Sequence, residues 1–167
     1  MIVGQAPGVQ AHTRAVPYSG ATGKTLRAWL ATAGIAEGEF FDLFYLTSAT
    51  KCFPGASASG KGDRMPSATE VALCAGHLDR EIALVRPELV ITLGKLAASV
   101  IIGPASLSDL VGQMHEVERA GHRFTVVPLS HPSGVSRWLN EPAHRDKQAQ
   151  ALALVKAFRE RQTGPAS

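Results

Sequence analysis

The sequence predicts an α/β fold of three layers, α/β/α, in which helices cover both faces of a central, mostly parallel four-stranded sheet. Three observations carry this expectation. Apolar runs of strand length alternate with amphipathic segments of helix length, the pattern of a parallel sheet with crossover helices. The run Leu89-Val90-Ile91-Thr92-Leu93 is continuously apolar around its threonine, as a strand covered on both faces requires. And 167 residues, 45% hydrophobic and 19% charged, suit one globular domain over 1–167 with no internal repeat.

The elements follow in order. Met1-Ile2-Val3 reads as a short strand that empties into Gly4-Gln5-Ala6-Pro7-Gly8, a rigid loop. Thr22 to Thr32 sets Leu26, Trp29 and Leu30 at helical spacing, and Gly34 suits its stop. Phe41 to Leu46 is expected as the second strand, with Thr47-Ser48-Ala49-Thr50-Lys51 as the loop beyond it. Pro54 to Pro66, rich in Gly, Ser and Ala, has no periodicity and is expected to be a mobile surface loop. Ser67-Ala68-Thr69-Glu70 forms a capping box for a helix running to about Val85, with Val71, Cys74, Leu78, Ile82 and Val85 on one face and Pro87 past its end. Leu89 to Leu93 is the third strand and Lys95 to Ile102 a helix broken by Gly103-Pro104. Phe124 to Leu129 is the fourth strand, feeding Ser130-His131-Pro132-Ser133-Gly134, and residues 145–161 close the chain as a helix with Leu152, Val155 and Phe158 inward.

The two loops punctuated by proline and glycine, 4–8 and 130–134, lie far apart in the chain yet each follows a strand. In an open α/β sheet, ligands bind where parallel strands open into such loops, so both are expected to border one cleft. Charge points to a partner. The formal net charge is +3, and from Met1 to Ala36 there is no Asp or Glu, whereas His12, Arg14, Lys24 and Arg27 fall there. The surface around the first loop should be positive, which fits a polyanion as well as it fits a plain basic surface. No run is long enough to span a bilayer, no signal segment is evident and only Cys52 and Cys74 are present, so a cytoplasmic monomer without a disulfide framework or membrane contact is expected.

One motif is set aside. Gly20-Ala21-Thr22-Gly23-Lys24-Thr25 looks like the end of a Walker phosphate loop, but that pattern needs glycine where Tyr18 stands, and no strand precedes it. Lys24 and Arg27 read instead as helix residues able to meet a nucleic-acid phosphate.

Taken in order, these segments resemble the uracil-DNA glycosylase superfamily, most closely its iron–sulfur branch (the family-four enzymes) and related bacterial proteins. Val3 to Gly8 is similar to that branch's first motif, and Pro17-Tyr18-Ser19-Gly20-Ala21-Thr22-Gly23 to its base-stacking loop. Leu46 to Pro54 is similar to its base-reading segment, Pro87 to Ala97 to its central strand and helix, and His131-Pro132-Ser133 to its second motif. The resemblance implies DNA containing a deaminated base as partner, with the nucleotide flipped into a pocket before its glycosidic bond is hydrolysed. It makes Gln5 and His131 the catalytic candidates, with Gly4, Ala6, Pro7, Gly8, Tyr18 and Ser48 around the base. Lys24, Ser133, Gly134, Val135 and Arg137 would contact DNA, Val135 as a small apolar wedge and Arg137 on a flanking phosphate. Tyr18 would stack on the base, and an N–H of His131 or of nearby backbone would stabilise the leaving anion. A lone histidine at a strand end often only caps it, but His131 is paired with the first loop, which favours the chemical reading.

Three departures bear on activity. The branch usually carries Glu where this chain has Gln5, and other branches place Asp or Asn where it has Ala6, so the first motif holds no carboxylate; Gln5 can orient a water but not take its proton. Ser48 stands where the family has a base-reading Asn; a hydroxyl donates or accepts, so hypoxanthine, xanthine or mismatched thymine join uracil as candidate lesions. Cys52 and Cys74 match two of the family's four cluster ligands. No cofactor is therefore expected from this chain, an iron–sulfur cluster arising only if two further cysteines lie upstream of Met1; otherwise the thiols are ordinary buried residues. Asp63, with Arg64 beside it, is the nearest acid in sequence to the proposed pocket; charges in glycine-rich loops are usually solvated, and Asp63 is a candidate for a compensating carboxylate. The leading expectation is a DNA repair glycosylase. The alternative is a noncatalytic member that binds damaged DNA, and a third reading, an enzyme acting on free nucleosides, predicts no salt-dependent affinity for DNA.

Overall fold

A computed structural model describes residues 1–60, 62–134 and 136–163. Five strands form one sheet in the order β2-β1-β3-β5-β4: β1 (Ile2–Gly4), β2 (Leu46–Ser48), β3 (Leu89–Leu93), β4 (His115–Arg119) and β5 (His122–Leu129). The first four in that order run parallel, and β4 pairs antiparallel with β5. The α/β/α expectation holds, with five strands rather than four. The added strand, His-Glu-Val-Glu-Arg, lies at the sheet edge with only Val117 apolar, so nothing in its composition marks a buried strand.

Side chains alternate across each strand and sort the core into two layers. Ile2, Ile91, Leu93, Val127 and Leu129 meet Leu26 and Leu30 of α2 (Ala21–Thr32) and Ala151, Leu152 and Val155 of α7 (Pro142–Thr163). Val3, Val90, Phe124 and Val126 face the other way, onto Leu78 and Ile82 of α4 (Ala68–Val85) and Ala97 and Ile101 of α5 (Gly94–Ile101). The predicted inward face of α4 is buried at its middle, while Val85 is exposed and Val71 and Cys74 are half-buried; Phe158 of α7 is half-buried too.

The expected strand over Phe41–Leu46 is corrected. Phe40–Leu43 forms a short helix, α3, and the strand begins only at Leu46. Phe40 is buried, edge-on to Phe41 at 5.1 Å and tilted against Phe44 at 5.9 Å, so the aromatic run folds into a knot of rings instead of lying along a sheet. A helix over Val9–Arg14, α1, was not expected; it buries none of its residues and therefore has no apolar period to read. The turn Leu107–Leu110 forms α6.

Helix α4 starts as predicted. Ser67 Oγ accepts from the Glu70 N–H at 3.2 Å while the Glu70 carboxylate accepts from the Ser67 N–H at 2.7 Å. Arg64 donates a two-pronged bond to the same carboxylate and, with the Ser67 bonds, holds its pKa down to about 2. Ser67→Ala is expected to lower stability by about 1 kcal/mol through loss of the cap, as read by the urea midpoint. The segment between Pro54 and Pro66 is more structured than its composition suggests. Ala56 and Asp63 form an antiparallel bridge, Ser57 N donates to Gly62 O and Arg64 N to Gly55 O. Among the described residues, no helix is long and apolar enough to cross a membrane.

Candidate active site

Because β1, β2, β3 and β5 are parallel, their C-terminal ends open on one edge of the sheet, and the loops beyond them converge there. Gly4 O accepts from Ala49 N at 2.9 Å and Gln5 O from Thr50 N at 3.2 Å, which stitches the first loop to the segment after β2. Loops 4–8 and 130–134 thus border a single cavity of about 1000 Å³, whose wall includes Gln5, Tyr18, Ser48, Asp63, His131 and Ser133. That volume accommodates a nucleobase with its sugar.

His131 sits at the end of β5, its ring packed over the start of α5. Gly94 there has φ +82°, and a Cβ on it would come within 3.0 Å of His131 Cβ and 3.3 Å of Cδ2, so glycine permits both the turn and the ring. The backbone N–H of Ser133 donates to His131 Nδ1 at 3.3 Å, with Ser133 Oγ 2.8 Å from the same nitrogen. A backbone amide can only donate, so Nδ1 is the acceptor and the ring proton resides on Nε2. Burial lowers the His131 pKa below the ordinary histidine value, with the Asp63 carboxylate pulling the other way. The ring is neutral at pH 7, with one N–H on the nitrogen that Ser133 does not engage.

Tyr18 adopts φ 54°, in the left-handed region. Its position depends on two glycines: a Cβ on Gly23 would lie 1.7 Å from Tyr18 O, and one on Gly4 would lie 2.5 Å from the phenol oxygen. Arg27 Nη1 donates to Tyr18 O at 3.1 Å, and Phe40 meets the ring edge-on at 6.3 Å. Burial raises the phenol's pKa, keeping it protonated.

Ser48 ends β2 with 8% of its surface exposed. Its hydroxyl donates to Thr50 O at 2.7 Å, so toward the cavity the oxygen offers lone pairs only. Below it, Lys51 Nζ contacts Glu81 Oε2 at 2.6 Å, Thr47 Oγ1 at 2.6 Å and Ser48 O at 2.9 Å. Lys51 is in the cavity wall, with its charge balanced by Glu81. The sequence offered no sign of this pair, since its partner comes from α4, thirty residues on. Gln10 and Met65 of the wall were likewise not foreseen; one lies on the unexpected α1 and the other in segment 54–66.

The remaining candidates divide. Gly4, Ala6, Pro7, Gly8, Ser133 and Gly134 are in the wall. Lys24 and Arg137 are exposed and outside it, Arg27 is turned to Glu37 and Tyr18, and Val135 lies outside the described residues. Cys52 is exposed and Cys74 half-buried, Cys74 Sγ accepting from Lys51 N at 3.4 Å. No group of three or more His, Cys, Asp or Glu suited to a metal occurs among the described residues, so two thiols alone do not fit a four-ligand iron–sulfur cluster.

Comparison with known proteins points to one family. The model of the uracil DNA glycosylase superfamily matches residues 1–153. A Type-4 uracil-DNA glycosylase of Archaeoglobus fulgidus is 31% identical over 140 residues, covering 81% of this chain and 65% of that protein. Proteins of the same description from Pyrobaculum aerophilum and Sulfurisphaera tokodaii are 29% identical over 159 and 140 residues, covering 92% and 80% of this chain. The chain spans 65%, 74% and 59% of the lengths of these three relatives.

Proposed function

Since the chain belongs to the uracil-DNA glycosylase superfamily, we propose that it removes a deaminated base from DNA by hydrolysing the N-glycosidic bond of a flipped nucleotide. The observation that carries this reading is the convergence of Gln5, Tyr18, Ser48 and His131 on one base-sized cavity.

Each group has a task its surroundings suit. Tyr18, clamped by Gly4 and Gly23, offers a ring face to the base. The His131 Nε2–H stabilises negative charge on the departing base, and because the ring is neutral and already oriented by Ser133, little reorganisation is needed. Gln5, whose side chain makes no hydrogen bond among the described residues, positions the attacking water. Ser133 and Gly134 meet the DNA backbone, with Lys24 and Arg137 on flanking phosphates and Val135 in the gap left by the flipped base.

Ser48 refines the substrate class. Deamination converts a ring nitrogen that accepts, as in cytosine or adenine, into an N–H that donates, as in uracil or hypoxanthine. With its own proton given to Thr50 O, the Ser48 oxygen accepts from that N–H and opposes a normal base lone pair. Ser48→Ala is expected to lower kcat/KM for the preferred lesion by up to about tenfold, the scale of one neutral hydrogen bond, and to narrow the margin over undamaged cytosine. An unchanged margin would remove Ser48 from base reading.

The deciding experiment incubates the protein with oligonucleotides carrying uracil, hypoxanthine, xanthine or mismatched thymine and reads abasic sites by alkaline cleavage. Product from at least one is expected. Salt-dependent binding of damaged DNA without product over long incubation would establish instead the noncatalytic binder, a reading favoured by the absence of a carboxylate at Gln5 and Ala6. An iron–sulfur cluster would require two ligands beyond Cys52 and Cys74, and no step above depends on one.

A further inference from the structure

Asp63 comes from neither of the loops that carry Gln5 and His131. It lies on the segment between Pro54 and Pro66, which folds back on itself through the Ala56–Asp63 bridge. Its neighbour Arg64 fastens that segment: Nε donates to Pro54 O at 3.0 Å, Nη1 to Met65 O at 3.1 Å, and the guanidinium grips Glu70 at 3.0 and 2.7 Å. Those anchors place Asp63 over the first loop. Its Oδ2 stands 3.1 Å from where a Cβ on Gly8 would be, so a side chain at that position would crowd the carboxylate.

Three further facts give this carboxylate a chemical place. It is in the wall of the cavity that holds His131, and its charge reaches the imidazole, opposing the effect of burial there. It accepts no hydrogen bond and closes no ion pair among the described residues. And among the described residues of that wall it is the one Asp or Glu, the first loop presenting only the amide of Gln5 and the methyl of Ala6.

We propose that Asp63 is the general base of this active site, a carboxylate delivered from a distant segment to a first loop that has none. This rests on the glycosylase reading above. The water oxygen bonds to C1′ as the C1′–N bond breaks, and the electron pair of that bond leaves with the base. The water's proton passes to Asp63 and then to solvent, while the base anion, held by the His131 N–H, takes a proton from solvent. The negative carboxylate also offsets the positive charge that develops on the sugar.

The test is single-turnover cleavage of the lesion oligonucleotide that wild-type protein processes best, with DNA affinity measured separately. Asp63→Asn keeps the shape and removes the charge. Its rate is expected to fall about 100-fold or more, the usual scale for a positioned base, while Kd for the same DNA stays within about threefold and the urea midpoint is unchanged. Placing a carboxylate in the first loop, in the double variant Gln5→Glu/Asp63→Asn, is expected to restore at least tenfold of the loss; no restoration would show that a missing charge is not what Asp63→Asn lacks, and the proposal would fall. An Asp63→Asn rate within threefold of wild type would overturn it while leaving the glycosylase reading intact. Absence of product from wild-type protein on every lesion would overturn that reading, and this proposal with it.

Discussion

His131→Ala is expected to reduce single-turnover cleavage of the preferred lesion by a factor of about 100 to 1000, the usual cost of removing one preorganised donor from a developing anion. The geometry makes the expectation specific. Ser133 N donates to Nδ1, which assigns the proton to Nε2, and burial keeps the ring neutral at pH 7. The side chain packs on Gly94 at the rim of α5 and is half-buried, so its loss should leave the urea unfolding midpoint nearly unchanged. A rate within about fivefold of wild type, in protein that unfolds normally, would assign anion stabilisation to backbone amides instead. Ser133→Ala should show a smaller loss, since the backbone donor to Nδ1 survives the substitution.

The second large effect concerns stability, and it reverses an ordinary rule. Replacing glycine by alanine inside a helix usually stabilises by about 1 kcal/mol. Gly23 is helical and buried, yet its Cβ would stand 1.7 Å from Tyr18 O and 2.8 Å from Tyr18 Cβ. No side-chain rotation relieves a clash with backbone, so Tyr18 must move from its left-handed conformation and Arg27 must release its carbonyl. Overpacking of this kind costs about 3 kcal/mol, which exceeds the gain in helix propensity. Gly23→Ala is therefore expected to be destabilising by about 2 kcal/mol net, seen as a lower urea midpoint at constant slope, together with weaker lesion binding as the tyrosine leaves its place. Equal or higher stability would show that Tyr18 is not held against α2.

Much of this arrangement was legible in the sequence, for identifiable reasons. The central strands announced themselves because burial on both faces demands continuous apolar runs, and Ser67 with Glu70 marked the start of α4 because a capping box is a local device. The two loops could be placed in one cavity because parallel strands open on the same edge of a sheet. Elements whose form depends on distant partners were not legible. Phe40 to Phe44 carries strand-like residues but makes a cluster of rings; β4 has too few apolar residues to declare itself; α1 buries nothing at all. The site shows the same division. Gln5 and His131 could be placed at the cavity through their loops, whereas the Lys51–Glu81 pair and the delivery of Asp63 depend on side chains of α4 reaching across to other segments. Ser48 lies in the cavity wall, but the bond that orients its hydroxyl, to a carbonyl two residues on, has no signature in the sequence.

Strand β4 bears on how copies of this protein behave when they meet at high concentration. As the outermost strand beyond β5 it leaves one side of its backbone without a sheet partner among the described residues, the kind of rim along which separate molecules can zip together. Glu116 and Glu118 are exposed on it, and Arg119 is drawn down to Asp79 and Val100 O. Glu118 is paired with Arg123 of β5, but the Glu116 carboxylates of two such rims brought together would repel, which disfavours edge-to-edge pairing of copies along β4.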